Sequence, residues 1–202
     1  MFVACFPSNR DDETTFAIKI GVMMDKLLVS LLVLLANVKA LFFKVIYLGQ
    51  IQSDLVVPSP YFPSVRIRSG GSISCSHVKF RRRCSIFADG GQVNIGKGAF
   101  LNNDCSINSN QSVVIGANTL LGEGVKIYDH NHRVIDGVVS HSELDSAPVS
   151  IGSDCWIGSN VVILPGVSIC DRVIVGAGSV ITKSISEPGT YVTENIRLRK
   201  LN

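Results

Sequence analysis

Six cysteines (Cys5, Cys75, Cys84, Cys105, Cys155, Cys170) include no CxxC pair and no metal-ligand spacing. Neither a structural zinc site nor a disulfide framework is indicated, and the expected state is reduced thiols in a reducing compartment. Histidine is scarce: His77, His130, His132 and His141 are the whole supply. Any large excess of charge of one sign is also lacking: the net charge is only +3, which gives no general argument for nucleic acid as a partner. A local cluster, Lys79, Arg81, Arg82 and Arg83, is either a solvated edge or a contact for acidic saccharide or lipid headgroups. No small-residue cleavage site closely follows the apolar run of residues 27–43, and the run starts late, which disfavours a secretory signal.

What is present is a period of six. Ile151, Ile157, Ile163, Ile169, Val175 and Ile181 follow one another at that spacing, each trailed four places later by Cys155, Val161, Val167, Val173, Ser179 and Ile185. Six matches neither the 3.6 of a helix nor the alternation of an isolated strand, so each hexad is one short strand plus a corner of a solenoid. The first residue fills the axis, and the fifth, small or β-branched, turns inward near the corner. Cysteine at that fifth position, as at Cys105 and Cys155, acts as a small apolar filler. Glycine at the second position (Gly152, Gly158, Gly176) suits close backbone approach or an unusual dihedral. The pattern also runs through Ile95, Leu101 and Ile107 and, after a two-residue slip, Ile115, Leu121 and Ile127. Between the two blocks, at about 128–148, the period is lost. An excursion inside a solenoid tends to lie on the binding face, so function is sought there.

The remaining organisation is an N-terminal extension with an apolar helix (1–50), a proline-containing linker (51–64), the solenoid (65–187) and a basic tail (188–202). Residues 1–22 carry no periodic signal, and Met23 or Met24 offers a second start. Leu27 to Phe43 reads as helix, with Lys26, Lys39 and Lys44 in or beside it. Lys39 and Asn37 sit inside the only window that could span a bilayer, so peripheral membrane contact through residues 26–48 is expected ahead of packing in an oligomer or a true span.

The excursion opens Tyr128-Asp129-His130-Asn131-His132-Arg133. Three-histidine metal binding would need His77 or His141, and neither shares a hexad position with this pair. A neutral imidazole acting as general base needs only a neighbour to set its tautomer. Proton transfer without metal is therefore the expected chemistry, with Asp129 or Glu143 as the orienting carboxylate.

The runs Ala147-Pro148-Val149-Ser150-Ile151-Gly152, Trp156-Ile157-Gly158-Ser159, Ile163-Leu164-Pro165-Gly166-Val167 and Val175 to Lys183 resemble the hexapeptide-repeat acetyltransferases. Within them the chain is most similar to the galactoside and maltose O-acetyltransferases and the sugar O-acetyltransferases of surface-polysaccharide synthesis. The resemblance implies an all-β fold, a left-handed parallel β-helix, and a homotrimer with active sites between subunits. It further implies acetyl-CoA as co-substrate and a sugar hydroxyl as acceptor, in O-antigen, capsule or exopolysaccharide synthesis; the expected location is the cytoplasm, with the apolar helix offering a peripheral position at the inner face of a bacterial membrane.

Residue by residue, the resemblance makes His132 the catalytic base and Ser159 the residue whose backbone amide faces the thioester oxygen; His130, two residues away on the same excursion, is the competing base. The resemblance makes Asn102 and Asn110 acceptor contacts, Asn110 standing where the galactoside enzyme carries a carboxylate. The same resemblance implies that Ala177, Gly178, Thr182 and Lys183 lie along the coenzyme and that Arg197 takes the phosphate role in a tail that departs from the family's Gly-x-Pro-Ala pattern, while the outward hexad position of Trp156 makes it the expected wall of the cleft beside the coenzyme. Asn131 to Arg133 also resembles the streptogramin acetyltransferases, which leaves an antibiotic or a serine hydroxyl as alternative acceptors. A metal lyase of the γ-type carbonic anhydrase kind shares the solenoid.

Overall fold

The computed structural model describes residues 10–47, 49–53 and 60–193. Three parallel ladders of six strands each form the faces of a triangular solenoid. Each face is named here by a central residue. The Ile115 face stacks Ile51–Ser53, Ser72–Cys75, Gln92–Ile95, Ser112–Ile115, Val149–Ile151 and Ser168–Ile169. The Leu121 face runs from Lys79–Phe80 through Phe100–Leu101, Leu120–Leu121, Trp156–Ile157 and Val173–Val175 to Gly189–Tyr191. The Ile107 face runs from Ser64–Arg68 through Ser85–Asp89, Ser106–Ser109, Lys126–Tyr128 and Val162–Ile163 to Val180–Ile181. Ile151 pairs with Ile169, so one turn of the solenoid takes three hexads.

The hexad code translates directly into the core. First-position residues from Ile95 through Val175 are buried, as are the fifth-position Cys105, Thr119, Val125, Cys155, Val161, Val167 and Val173. Every aliphatic side chain sits on its equivalent in the next coil, Ile127 on Ile163 on Ile181. Where the fifth residue is polar it finds a backbone partner: Thr119 Oγ1 donates to Gly152 O at 2.7 Å, and Cys155 Sγ to Cys170 O at 3.2 Å. Second-position glycines answer to close approach. A Cβ on Gly96 would lie 2.6 Å from Ala117 N and 2.8 Å from Gly116 C. The left-handed backbone falls two places later, at Asn118, Asp154 and Asn160 among others, whose φ lies between 56° and 57°. Replacing Gly96 by alanine is therefore expected to cost about 1–3 kcal/mol through backbone displacement. The measurement is the melting temperature, and an unchanged value would contradict the close-contact account.

Four boundaries differ from the sequence reading. The helix runs Arg10–Ile46, well beyond the apolar run that announced it. Residues 51–64 are not all linker, because Ile51–Ser53 pairs with Ser72–Cys75 and forms the first edge of the solenoid. Three residues ahead of the prolines suffice for one rung, and Pro58 lies outside the described residues. At the other end Pro188 does not stop the ladder: it sits in a corner, where no rung hydrogen bond is needed, and Gly189–Tyr191 rejoins beside Val173–Val175. The excursion, finally, is not an irregular loop. His130–Ile135 and Val138–Ser146 pair as an antiparallel hairpin, closed by Asp136 and Gly137, whose φ values of 51° and 79° match a two-residue type I′ turn.

Candidate active site

The hairpin leaves the corner between the Ile107 and Ile115 faces, the corner where the repeat slips by two residues. The slip places extra inward positions in a column, and Asp129 ends it, fully buried. Its carboxylate is surrounded by donors. Oδ1 accepts from Asn110 N at 2.8 Å and His130 Nδ1 at 2.9 Å; Oδ2 accepts from Ser109 Oγ at 2.8 Å, Gln111 N at 2.8 Å and Ser112 N at 2.7 Å. Burial pushes this carboxyl's pKa up, but the Asn110 amide, His130, the Gln111 amide and the Ser109 hydroxyl together outweigh it and hold the pKa below the ordinary value. Asp129 is thus an anion that satisfies the amides of a widened corner and fixes the root of the hairpin.

The two histidines have different partners. Asp129 carries no proton, so the proton between it and His130 is on His130 Nδ1; the ring is partly buried. His132 projects from the exposed edge of the hairpin, and its Nδ1 lies 2.9 Å from the Ser140 carbonyl oxygen. A carbonyl only accepts, so Nδ1 carries a proton, and in the neutral imidazole the lone pair is then on Nε2. The orienting group of His132 is therefore a backbone carbonyl of the opposite strand, not Asp129 or Glu143. Glu143 is engaged otherwise: Arg133 donates to it at 3.0 Å and to Asp145 at 2.7 Å, fastening the two strands together.

Asn110, read as an acceptor contact, has both ends of its amide in use. Nδ2 donates to Asp89 O at 2.9 Å and Oδ1 accepts from Ser146 Oγ at 2.7 Å, which ties the hairpin's returning strand to the corner.

Asn102, Ser159, Ala177 and Gly178 lie on a different corner, between the Leu121 and Ile107 faces. Asn102 N donates to Leu121 O at 3.0 Å, Gly122 N to Ile157 O at 2.8 Å and Gly158 N to Val175 O at 2.8 Å, which stacks Asn102 below Gly158 and Ser159. Gly178 N donates in turn to Ser159 O at 2.8 Å, adding Ala177 and Gly178 to the same edge. Trp156 stands beside that edge on the Leu121 face, 55% exposed, so it faces outward as the repeat requires. Thr182 and Lys183 follow the last strand of the Ile107 face and border a cleft of about 440 Å³ with Tyr191 and Thr193. Arg197 lies outside the described residues. Within one chain, then, the histidine arm and the Asn102–Ser159–Gly178 edge occupy two separate corners. Among the described residues no three His, Cys, Asp or Glu side chains converge as a metal set.

Sequence reasoning missed the Ser140 carbonyl and the donors around Asp129. The first has no signal in residue type. The second had one, the slip between Ile107 and Ile115, but its partner is reached only through space.

Comparison with known proteins agrees with this architecture. Residues 148–183 match the family model described as the hexapeptide repeat of succinyl-transferase. The galactoside O-acetyltransferase of Escherichia coli (strain K12) is 38% identical over 99 residues, 49% of each chain. A protein of the same strain named for O-acetyl transfer in lipopolysaccharide biosynthesis is 38% identical over 121 residues, 54% of this chain and 56% of its own. The chain thus spans about half the length of the curated relatives it matches. Among solved structures, an N-acyltransferase from Bacillus cereus, in complex with dTDP-4-amino-4,6-dideoxyglucose and coenzyme A, superposes with a TM-score of 0.63 at 18% identity, covering 76% of this chain and 85% of its own. That likeness is one of fold.

Proposed function

The chain belongs to the hexapeptide-repeat acetyltransferase family, and from that premise we propose that it transfers the acetyl group of acetyl-CoA directly to a sugar hydroxyl, in the synthesis of a bacterial surface polysaccharide. The observation that carries the reading is the hairpin arm, which presents His132 with Nδ1 bonded to the Ser140 carbonyl, so that in the neutral ring the lone pair is on Nε2. In this reading Nε2 takes the proton of the acceptor hydroxyl as that oxygen attacks the thioester carbonyl. The tetrahedral oxyanion faces the Ser159 amide, and its collapse breaks the carbon–sulfur bond and releases the coenzyme thiol, with the proton returned from the imidazolium. An oxyanion donor of this kind is worth about 3–4 kcal/mol in comparable sites.

Because the arm and the coenzyme edge stand on separate corners of one chain, we infer that the site is completed by a second copy in a trimer, the arm of one subunit reaching the Asn102–Gly178 edge of its neighbour. The sugar acceptor draws support from the relatives named for galactoside and lipopolysaccharide O-acetylation, which share 38% identity with this chain over their matched segments. Asn131 to Arg133 keeps an antibiotic or serine acceptor in view.

The test is thiol release from acetyl-CoA with free sugars, bacterial polysaccharide fragments, serine and a streptogramin as acceptors. Stimulation by saccharides alone is the expected result. Stimulation only by serine or the antibiotic would move the acceptor, and failure to bind acetyl-CoA at all would sink the transferase reading.

A further inference from the structure

Charge is partitioned along the solenoid. Residues 60–100 carry seven basic side chains, Arg66, Arg68, Lys79, Arg81, Arg82, Arg83 and Lys97, against Asp89 alone. Residues 101–193 carry nine acidic against four basic. Because coils stack in chain order, this is a division in space: the end that joins the helix is strongly basic and the remainder is acidic. All seven basic side chains are exposed. Several are also braced by aromatic rings, with Arg66 and Arg68 over Phe87 at 5.7 and 5.9 Å, Arg81 over Phe100 at 5.8 Å and Arg82 over Tyr61 at 5.3 Å.

The helix adds a second, independent observation. Within Val22–Ile46 an 18-residue window has a mean hydropathy of 2.1, yet only 11% of that window is buried. Ala36 and Ala40 are buried on one side, and Phe43 stacks on Phe62 at 5.5 Å between ring centres. Leu27, Leu31, Leu34, Leu35 and Phe42 remain exposed. Between the helix and the basic coils lies a cleft of about 920 Å³ lined by Val38, Phe42 and Phe62 with Lys39 and Arg83 beside them, apolar walls next to two cations. The apolar surface and the basic surface are continuous, which is the composition of a bilayer interface.

We propose that the basic end coils are a docking surface for the anionic leaflet of a lipid bilayer, with the exposed sides of the helix inserted into it and the solenoid axis pointing away. The acidic coils and the hairpin arm then face the aqueous side. Three ladder steps separate Ser64–Arg68 from Lys126–Tyr128 on the Ile107 face, so the root of the arm stands about 14 Å beyond the first basic coil. Acetyl transfer in solution does not depend on this contact.

The experiment is flotation of the full chain with vesicles of phosphatidylcholine alone and of phosphatidylcholine mixed with phosphatidylglycerol, at low and high salt. Each basic group at an anionic surface is worth roughly fivefold in partition. Arg66→Gln with Arg68→Gln, and Lys79→Gln with Lys97→Gln, are each expected to lower binding to the anionic vesicles by about tenfold or more, while Arg172→Gln in the acidic half changes nothing. Melting temperatures check that each variant is folded, and thiol release with a soluble acceptor, run in parallel, keeps this result separate from the fate of the transferase reading. Equal binding to both vesicle types, or double variants that bind like the parent, would overturn the proposal and leave the helix as the sole attachment. No flotation at all would overturn it in favour of helices packed between copies. Loss of binding to an acidic polysaccharide by the same variants, with lipid binding intact, would overturn it in favour of a carbohydrate surface.

Discussion

Replacing His132 by alanine is expected to lower kcat/KM for acetyl transfer by about 100-fold to 10,000-fold, the range that a positioned general base supplies. The loss should fall on kcat and leave KM for acetyl-CoA nearly unchanged, because the ring meets the reacting hydroxyl and not the coenzyme. Stability should hold as well. His132 lies on an exposed edge, its bond to Ser140 is one among the many that close the hairpin, and Arg133 fastens the strands independently through Asp145 and Glu143. His130→Ala supplies the contrast. That ring is bonded to Asp129, whose carboxylate already serves four other donors at the corner, so its removal is expected to weaken the fold more and turnover less. An equal loss of turnover in the two variants, or a larger one for His130→Ala, would move the base to His130 and make the buried Asp129 its orienting partner.

The coiled body of the molecule was open to sequence reasoning because a six-residue period has one physical solution. A branched aliphatic at Ile151, Ile157 and Ile163 is needed only if each turns to the same narrow axis, and all three are buried. The ends were harder, since a single rung such as Ile51–Ser53 has no period of its own. The hairpin had a signal, Asp136-Gly137 between Val134-Ile135 and Val138-Val139, but its register is antiparallel and local, so it vanishes from a search for hexads. Within the site, His130, His132 and Asp129 stand out by residue type. Which imidazole each acceptor holds does not, because the deciding group for His132 is the carbonyl of Ser140, and every residue has a carbonyl. The separation of His132 from Asn102 and Ser159 onto two corners is likewise a property of the coil count, visible only once the ladders are in register.

Asp129→Asn is expected to be the most destabilising single conservative change, about 3–5 kcal/mol at neutral pH. Five donors converge on the carboxylate, three of them main-chain amides of Asn110, Gln111 and Ser112 at a corner that carries two residues too many for the regular repeat. An amide side chain turns one acceptor into a donor pointed at other donors, and each buried group left without a partner costs about 1–3 kcal/mol. The pH dependence identifies the charge as the cause. The folded pKa of Asp129 lies below its ordinary value, burial being outweighed by the amide, imidazole and hydroxyl donors. Its contribution is therefore complete above the unfolded value of about 3.9 and is lost as pH falls through the lower folded value. Chemical denaturation of the parent and of Asp129→Asn between neutral and acid pH should show a gap that is widest at neutrality and closes toward the acid end. A gap of the same size at every pH would mean that the corner requires the shape of the side chain and not its charge, and the hairpin's root would then be held by packing alone.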